Sequence, residues 1–251
     1  TPQPTAQLKE LLVDELTTVT KGTTYDNLSN LANNFKRAVI SKYEGTRLGR
    51  QELNAEVLVD VVGALWARGM IEKIRVRVLP DMVRVVVAID PPVTSGSKAD
   101  ECGLVVAGLG ADGRGYVLDD KSSAGLSPKE WAAKAIDAYH LHNADRIIAE
   151  VNNGGELVEA VIRQIDETVS YTAVHASRGK VTRAEPISAL YEQSRVSHVG
   201  TFATLEDRMC AFTVGFDRKS MGYSPDRVDA LVWALTNLML AKPNKIQIRT
   251  L

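Results

Sequence analysis

The chain has 251 residues, 30 of them basic and 31 acidic, for a net charge of −1. That length holds one large domain or one and a half ordinary ones, and the near-neutral balance excludes a globally basic nucleic-acid binder, so any polyanion contact has to come from a local patch. Two widely separated cysteines, Cys102 and Cys210, exclude a disulfide framework and read as reduced and structural, while His140, His142, His175 and His198 form neither HExxH nor a zinc-finger spacing.

No stretch approaches the roughly 20 apolar residues needed to span a membrane and no signal peptide is visible, which predicts a protein of the cytoplasm. The opening Thr1-Pro2-Gln3-Pro4 reads as the start of a fragment cut from something longer. A helix is predicted near Ala6 to Leu16, a loop around Gly22 to Asp26 and a further helical stretch near Leu28 to Tyr43. The Gly/Arg-rich residues 44–50 read as a solvated loop. From Val76 the texture changes to short β-rich runs alternating with amphipathic helices, which divides the chain into a mostly helical part, 1–75, and a second part, 76–251. Strands are predicted at Val83 to Asp90, Gly103 to Leu109, Gly115 to Asp119, Arg146 to Glu150 and Tyr171 to His175, with a tight hairpin at Asp112-Gly113. Three strands without helices followed by strand–helix alternation predict a mixed sheet. Ser127-Pro128-Lys129-Glu130 is a capping box opening a helix to about His142, and Ser224-Pro225 opens the last helix in the same way. There Val228, Leu231, Val232, Leu235, Leu238 and Met239 form one apolar stripe.

The chemistry lies in acids at element ends. Asp90 closes the apolar run VRVVVAID and is followed by Pro91 and Pro92; a charge ending an otherwise buried strand is costly unless something uses it. Glu150 repeats the pattern in DRIIAEV, before the turn that begins at Asn152. Asp229 lies just off the apolar stripe of the last helix, close enough to look over the sheet. Three acids from three segments point to a divalent-metal site of hard oxygen ligands. Two Mg²⁺ or Mn²⁺ ions about 3.5–4 Å apart need a bridging carboxylate, for which Asp90 is the natural residue because the centre of a sheet is the most rigid support, with Glu150 and Asp229 flanking it. Asp226 reads as turned further toward solvent, with a carboxylate favoured by the helix dipole as its first reading and metal ligation as its second. Arg178, Lys180 and Arg183 fall in a short loop after the fifth strand and are candidates for contact with a phosphate backbone. GxxxxGK[ST] is matched nowhere, so no ATP hydrolysis is expected.

VAIDPP, ADECGLVVAG, AEVNNGGELV, HASRGKVTRAEPISALYEQSRVSHVG and SPDRVDALVWAL, in that order, resemble the nuclease domain of the large terminase subunit of tailed bacteriophages, and TTYDNLSNL, KYEGTRLGRQELNAEV and GALW resemble the region joining ATPase to nuclease in those proteins. The resemblance implies an RNase H-like α/β fold: a central mixed five-stranded sheet with helices on both faces, preceded by a mostly helical segment. It implies a metal-dependent endonuclease that cuts concatemeric viral DNA during genome packaging in the host cytoplasm. Asp90 matches the first-strand aspartate, Glu150 the fourth-strand acid and Asp229 the aspartate of the last helix. Thr1-Pro2 matches the remnant of a coupling motif. Double-stranded DNA, the portal protein and the small terminase subunit are the implied partners. The rival readings are another nuclease of the same fold, such as a Holliday-junction resolvase, and a catalytically silent module that docks the packaging motor.

Overall fold

The computed structural model describes residues 6–14, 16–35, 40, 49–50, 53–56, 61, 63–92, 101–152, 155–216 and 223–241. Its centre is a sheet of strands β1 (Met82–Asp90), β2 (Glu101–Gly110), β3 (Gly115–Asp120), β5 (Arg146–Glu150), β6 (Tyr171–Val174) and β7 (Val196–His198), in the order β6-β5-β1-β2-β3-β7, with the two-residue β4 (Ser123–Ala124) paired to β2. The β1–β2 and β2–β3 pairs are antiparallel, whereas β1–β5, β5–β6 and β3–β7 are parallel. The mixed sheet is therefore as expected, but it has more than five strands. β7 is three residues, Val-Ser-His, too short to carry a periodicity, and it is held by parallel pairing with Gly115 to Val117 of β3.

Val85 to Ile89 of β1 are all buried because the sheet is covered on both faces. On one face Val85, Val87, Ile89, Leu104 and Val106 pack against Trp131, Ala135 and Ile136 of α3 (Pro128–Leu141) and Val158 and Ile162 of α4 (Glu156–Ile165). On the other, Val86, Ala88, Val105, Ala107 and Val117 meet α2 (Arg68–Lys73), α5 (Lys180–Glu192), α6 (Ala203–Cys210) and α7 (Asp226–Leu235). Two runs of alternating side chains thus serve two cores, as the period of a strand requires.

Local chemistry fixes the joints. In the β2–β3 hairpin Gly113 has φ +76°, and Asp112 accepts from the Arg114 N–H at 3.0 Å and the Tyr116 hydroxyl at 2.6 Å. At the start of α3 the Ser127 N–H donates to Glu130 at 2.8 Å, one arm of the predicted box. The last helix differs in detail: Pro225 is its N-cap and Asp226 its first residue, so the proline stands one position earlier than in α3.

The N-terminal part contains α1 (Ala6–Val13), ending three residues before the predicted Leu16, a 3₁₀ turn at Leu28–Asn30 and a helical turn at Asn33–Phe35. The expected second helix is therefore broken at Leu31, whose backbone is extended, and residues 36–39 and 41–43 of it, residues 44–48 of the Gly/Arg-rich segment and Thr1-Pro2 lie outside the described residues. Trp66 and Ile71 are fully buried in the core of the second face, Trp66 against the rings of Tyr191 and Phe212, and the Leu65 N–H donates to the Phe212 carbonyl at 2.9 Å. Among the described residues no helix is long and apolar enough to cross a membrane.

Candidate metal centre

Because β1 and β5 run parallel, with Ile89 paired to Ala149, their last residues Asp90 and Glu150 finish at the same edge of the sheet. On its other side Asp90 pairs with Gly103 of β2. The glycine is required: a Cβ there would collide with the Asp226 carbonyl, so its absence lets the first turn of α7 rest on β2. That contact delivers Asp226 and Asp229, three apart on one helix face, to Asp90. Carboxylate oxygens of Asp90, Asp226 and Asp229 lie within 4.8 Å of one another.

Arg227, between the two helical acids, anchors the same turn. Its guanidinium pairs with Glu101 at the start of β2 (2.8 Å from Nε, 2.5 Å from Nη2) and with Asp120 at the end of β3 (2.5 Å), and it donates to the Ser122 carbonyl at 3.2 Å. On the opposite side Lys180 and Arg183, one turn apart on α5, face the acids. Lys180 Nζ is 2.5 Å from Asp229 and 3.9 Å from Asp226. Arg183 spans Glu150 at 3.0 Å and Asp229 at 3.4 Å, with its guanidinium 4.8 Å over the Trp233 ring. The Trp233 indole N–H donates to the same Glu150 oxygen at 2.6 Å.

The electrostatics follow from crowding. Burial, then the charges of Asp229 and Asp226, push the Asp90 carboxyl well above its ordinary range, with Lys180 opposing. Burial also raises Asp229, against the pull of Lys180 and Arg183. For Lys180 burial works against the charge, but Asp229, Asp90 and Asp226 outweigh it and raise its pKa. Hard anionic oxygens from two elements, crowded so that each raises the cost of ionising the next, form a cluster that can bind a metal ion.

Asp90 and Asp229 therefore meet, as expected from sequence. Asp226 does not face solvent as expected: it is 7% exposed, because the terminal turn is pressed against Gly103, and Ser224 Oγ donates to its carboxylate. Extrapolating the apolar stripe of the helix body to its first residue misses this, although the i, i+3 spacing to Asp229 carries the signal. Glu150 stands beside the three aspartates rather than among them, tied to Arg183 and Trp233. Lys180 and Arg183 occur in the first turn of α5, not in a loop, and turn inward; Arg178 remains exposed in the segment before it. Sequence reasoning missed Gly103, Arg227 and Trp233. A glycine inside the apolar run of β2 was the available signal for the first, while an arginine and a tryptophan on an amphipathic helix carry none.

A family model described as the Terminase RNaseH-like domain matches residues 87–238, which include every one of these side chains. No curated protein matches the sequence. Among solved structures, the nuclease domain of the large terminase subunit gp2 of bacterial virus Sf6 superposes with a TM-score of 0.55 at 13% identity, over 68% of this chain and 98% of that one. The large terminase nuclease from thermophilic phage G20c gives a TM-score of 0.50 at 14% identity, over 70% and 98%. A large terminase from a second thermophilic bacteriophage gives 0.51 at 14% identity, over 86% of this chain and 54% of that one. At such identities the likenesses speak for the fold alone, and it is the match of the family model over more than half of the sequence that decides: the chain belongs to the terminase RNaseH-like domain family.

Proposed function

We propose that this chain is the nuclease part of a large terminase subunit, a metal-dependent endonuclease that cuts concatemeric viral DNA in the host cytoplasm during packaging. The observation that carries the reading is the convergence of Asp90, Asp226 and Asp229 within 4.8 Å at the end of the sheet, with Glu150 on the neighbouring strand end. Related Sf6 structures are described with manganese and with calcium, which is consistent with a site of this kind.

Two Mg²⁺ or Mn²⁺ ions are the cofactors the donor set suits; Asp90, Asp226 and Asp229 would hold them together with Glu150 from β5, and Asp90, at the centre of the sheet, would be the ligand common to both. When bound, such ions supply positive charge to the attacking and leaving oxygens of a phosphodiester displacement. The chain's own residues do the rest. Lys180 and Arg183 hold the Asp229 and Glu150 carboxylates until a cation takes their place, and would then be free to turn toward the phosphate. Arg178, exposed before α5, contacts the DNA backbone and carries no base preference. The portal protein and the small terminase subunit are the partners the family reading assigns. The burial of Trp66 and Ile71 with the sheet supports starting the nuclease domain at about residue 63, within the segment first assigned to the linker.

The test is cleavage of supercoiled plasmid in Mn²⁺, Mg²⁺ or EDTA, beside Asp90→Ala and Asp229→Ala variants shown to be folded. Metal-dependent nicking and linearisation lost in both variants is expected. Equal cutting by wild type and variants would mark a contaminant, and absence of both cutting and a Mn²⁺-induced rise in melting temperature would leave a silent docking module.

A further inference from the structure

We propose that Trp233 is a positioning residue whose indole N–H sets the Glu150 carboxylate against the three aspartates. The inference rests on the reading of Glu150 as a metal ligand given above. Trp233 follows Asp226 and Asp229 at i+7 and i+4, so at about 100° per residue all three project from one sector of α7 about 60° wide. The helix thus presents two carboxylates and one N–H donor in a row, the carboxylates toward Asp90 and the donor toward Glu150. Because the donor and two of the ligands share one rigid element, the hydrogen bond ties β5 to α7 and fixes the spacing between Glu150 and the cluster.

Three further features favour this role over that of core filling. Trp66 and Trp131 are at most 4% exposed, whereas Trp233 is partly exposed and aims its only polar atom at a carboxylate, 2.6 Å away. Both donors to Glu150, Arg183 and Trp233, fall on Oε2, and among the described residues none falls on Oε1, which leaves one oxygen to ligate. The two donors also differ in kind. Arg183 is a cation that an arriving metal ion repels and a phosphate attracts, while the indole is neutral and keeps hold of Glu150 after Arg183 has gone. The guanidinium stacked on the Trp233 ring makes the same side chain the floor on which that exchange takes place.

The experiment compares wild type, Trp233→Phe, Glu150→Gln and the double variant. Two quantities are read: the Mn²⁺ concentration for half-maximal plasmid nicking, and the Mn²⁺-induced rise in melting temperature. Trp233→Phe removes the donor and keeps a smaller aromatic ring beneath Arg183. It is expected to melt close to wild type in EDTA and to need about tenfold more Mn²⁺, the usual effect of removing a partner of a metal ligand. In the Glu150→Gln background the substitution is expected to change the Mn²⁺ response no further. Wild-type Mn²⁺ dependence in Trp233→Phe, or an effect of full size added to that of Glu150→Gln, would overturn the proposal. If Glu150→Gln itself leaves the Mn²⁺ response unchanged, Glu150 is not a ligand, and it is the earlier reading that has failed, taking this one with it. Trp233→His, which retains a ring N–H, is a second variant should Trp233→Phe not melt cooperatively. Placed in the same cycle it is expected to need less than tenfold more Mn²⁺, and a requirement tenfold or greater would count against the proposal.

Discussion

Glu206 and Asp229 are both buried carboxylates facing arginine, yet their surroundings push them in opposite directions. Glu206, on α6 and fully buried, accepts from Arg75 at 2.7 and 2.9 Å, from His198 Nδ1 at 2.9 Å and from the Phe202 N–H at 3.1 Å, with Arg68 at 3.6 Å. Burial works against its charge, but the hydrogen bonds from His198 and Arg75 prevail and hold it at about 2. His198 is kept below its usual value by burial, and its other nitrogen meets the Tyr191 hydroxyl at 2.8 Å. At the end of the sheet the balance is reversed: among the described residues Asp90, Asp226, Asp229 and Glu150 share Lys180 and Arg183, and Asp90 and Asp229 are raised. One carboxylate with a surplus of donors is a structural joint, here fastening Arg68 and Arg75 of the segment around α2 to β7 and α6. Carboxylates crowded so that each raises the cost of ionising the next form a cluster that can hold an ion.

Four substitutions test this contrast. The largest effect is expected from Asp90→Asn: plasmid cutting falls at least about a thousandfold, or about 4 kcal/mol in the barrier, while melting in EDTA is unchanged or raised because like charges have been relieved. A fall in both stability and activity would instead make Asp90 structural. Glu206→Gln should do the converse, costing about 3–5 kcal/mol in denaturant unfolding because Arg75 and Arg68 lose a buried partner. Gly103→Ala is expected to lose about 1–3 kcal/mol by overpacking and also to blunt the Mn²⁺ response, since the new Cβ would meet the Asp226 backbone. Loss of stability with an intact Mn²⁺ response would separate Gly103 from the site. The smallest effect belongs to Arg178→Ala: a few-fold rise in the DNA concentration needed for half-maximal cutting and a salt slope lower by about one.

The two regions also respond to pH with opposite sign. Glu206 has a folded pKa below its ordinary 4.5, so its contribution to stability is present above that value and is lost as pH falls toward about 2. Asp90 and Asp229 have folded values above their ordinary 3.8, so the folded state keeps their protons longer and the contribution is lost as pH rises past the raised values. Melting in EDTA from pH 4 to pH 8 should therefore decline more steeply for wild type than for Asp90→Asn, and equal slopes would contradict the crowding described here.

Five strands, their order of appearance and the capping box of α3 were legible in the sequence because long apolar runs and turn residues report on local structure. β7 was not: three residues paired only through a tertiary contact have no pattern of their own. Asp90 and Asp229 stood out by their positions at element ends. The burial of Asp226 and the inward turn of Lys180 and Arg183 depend on how α5 and α7 dock on the sheet, and Gly103, the residue that permits the close approach of α7, is far from them in sequence. Trp66 was legible as part of a block, yet its place in the core depends on Tyr191 and Phe212, more than 120 residues away. Local chemistry can thus be read along the chain, whereas the pairing of a carboxylate with its cations is a product of packing.

The most direct measurement is the melting temperature of wild type and Asp90→Asn in EDTA and in Mn²⁺. An ion at about 100 times its Kd adds about 2.7 kcal/mol, which at this size raises the wild-type melting temperature by about 5–11 °C. Asp90→Asn should match or exceed wild type in EDTA and gain nothing from Mn²⁺. An equal Mn²⁺ response in both proteins would contradict the assignment of the carboxylate cluster as the metal centre.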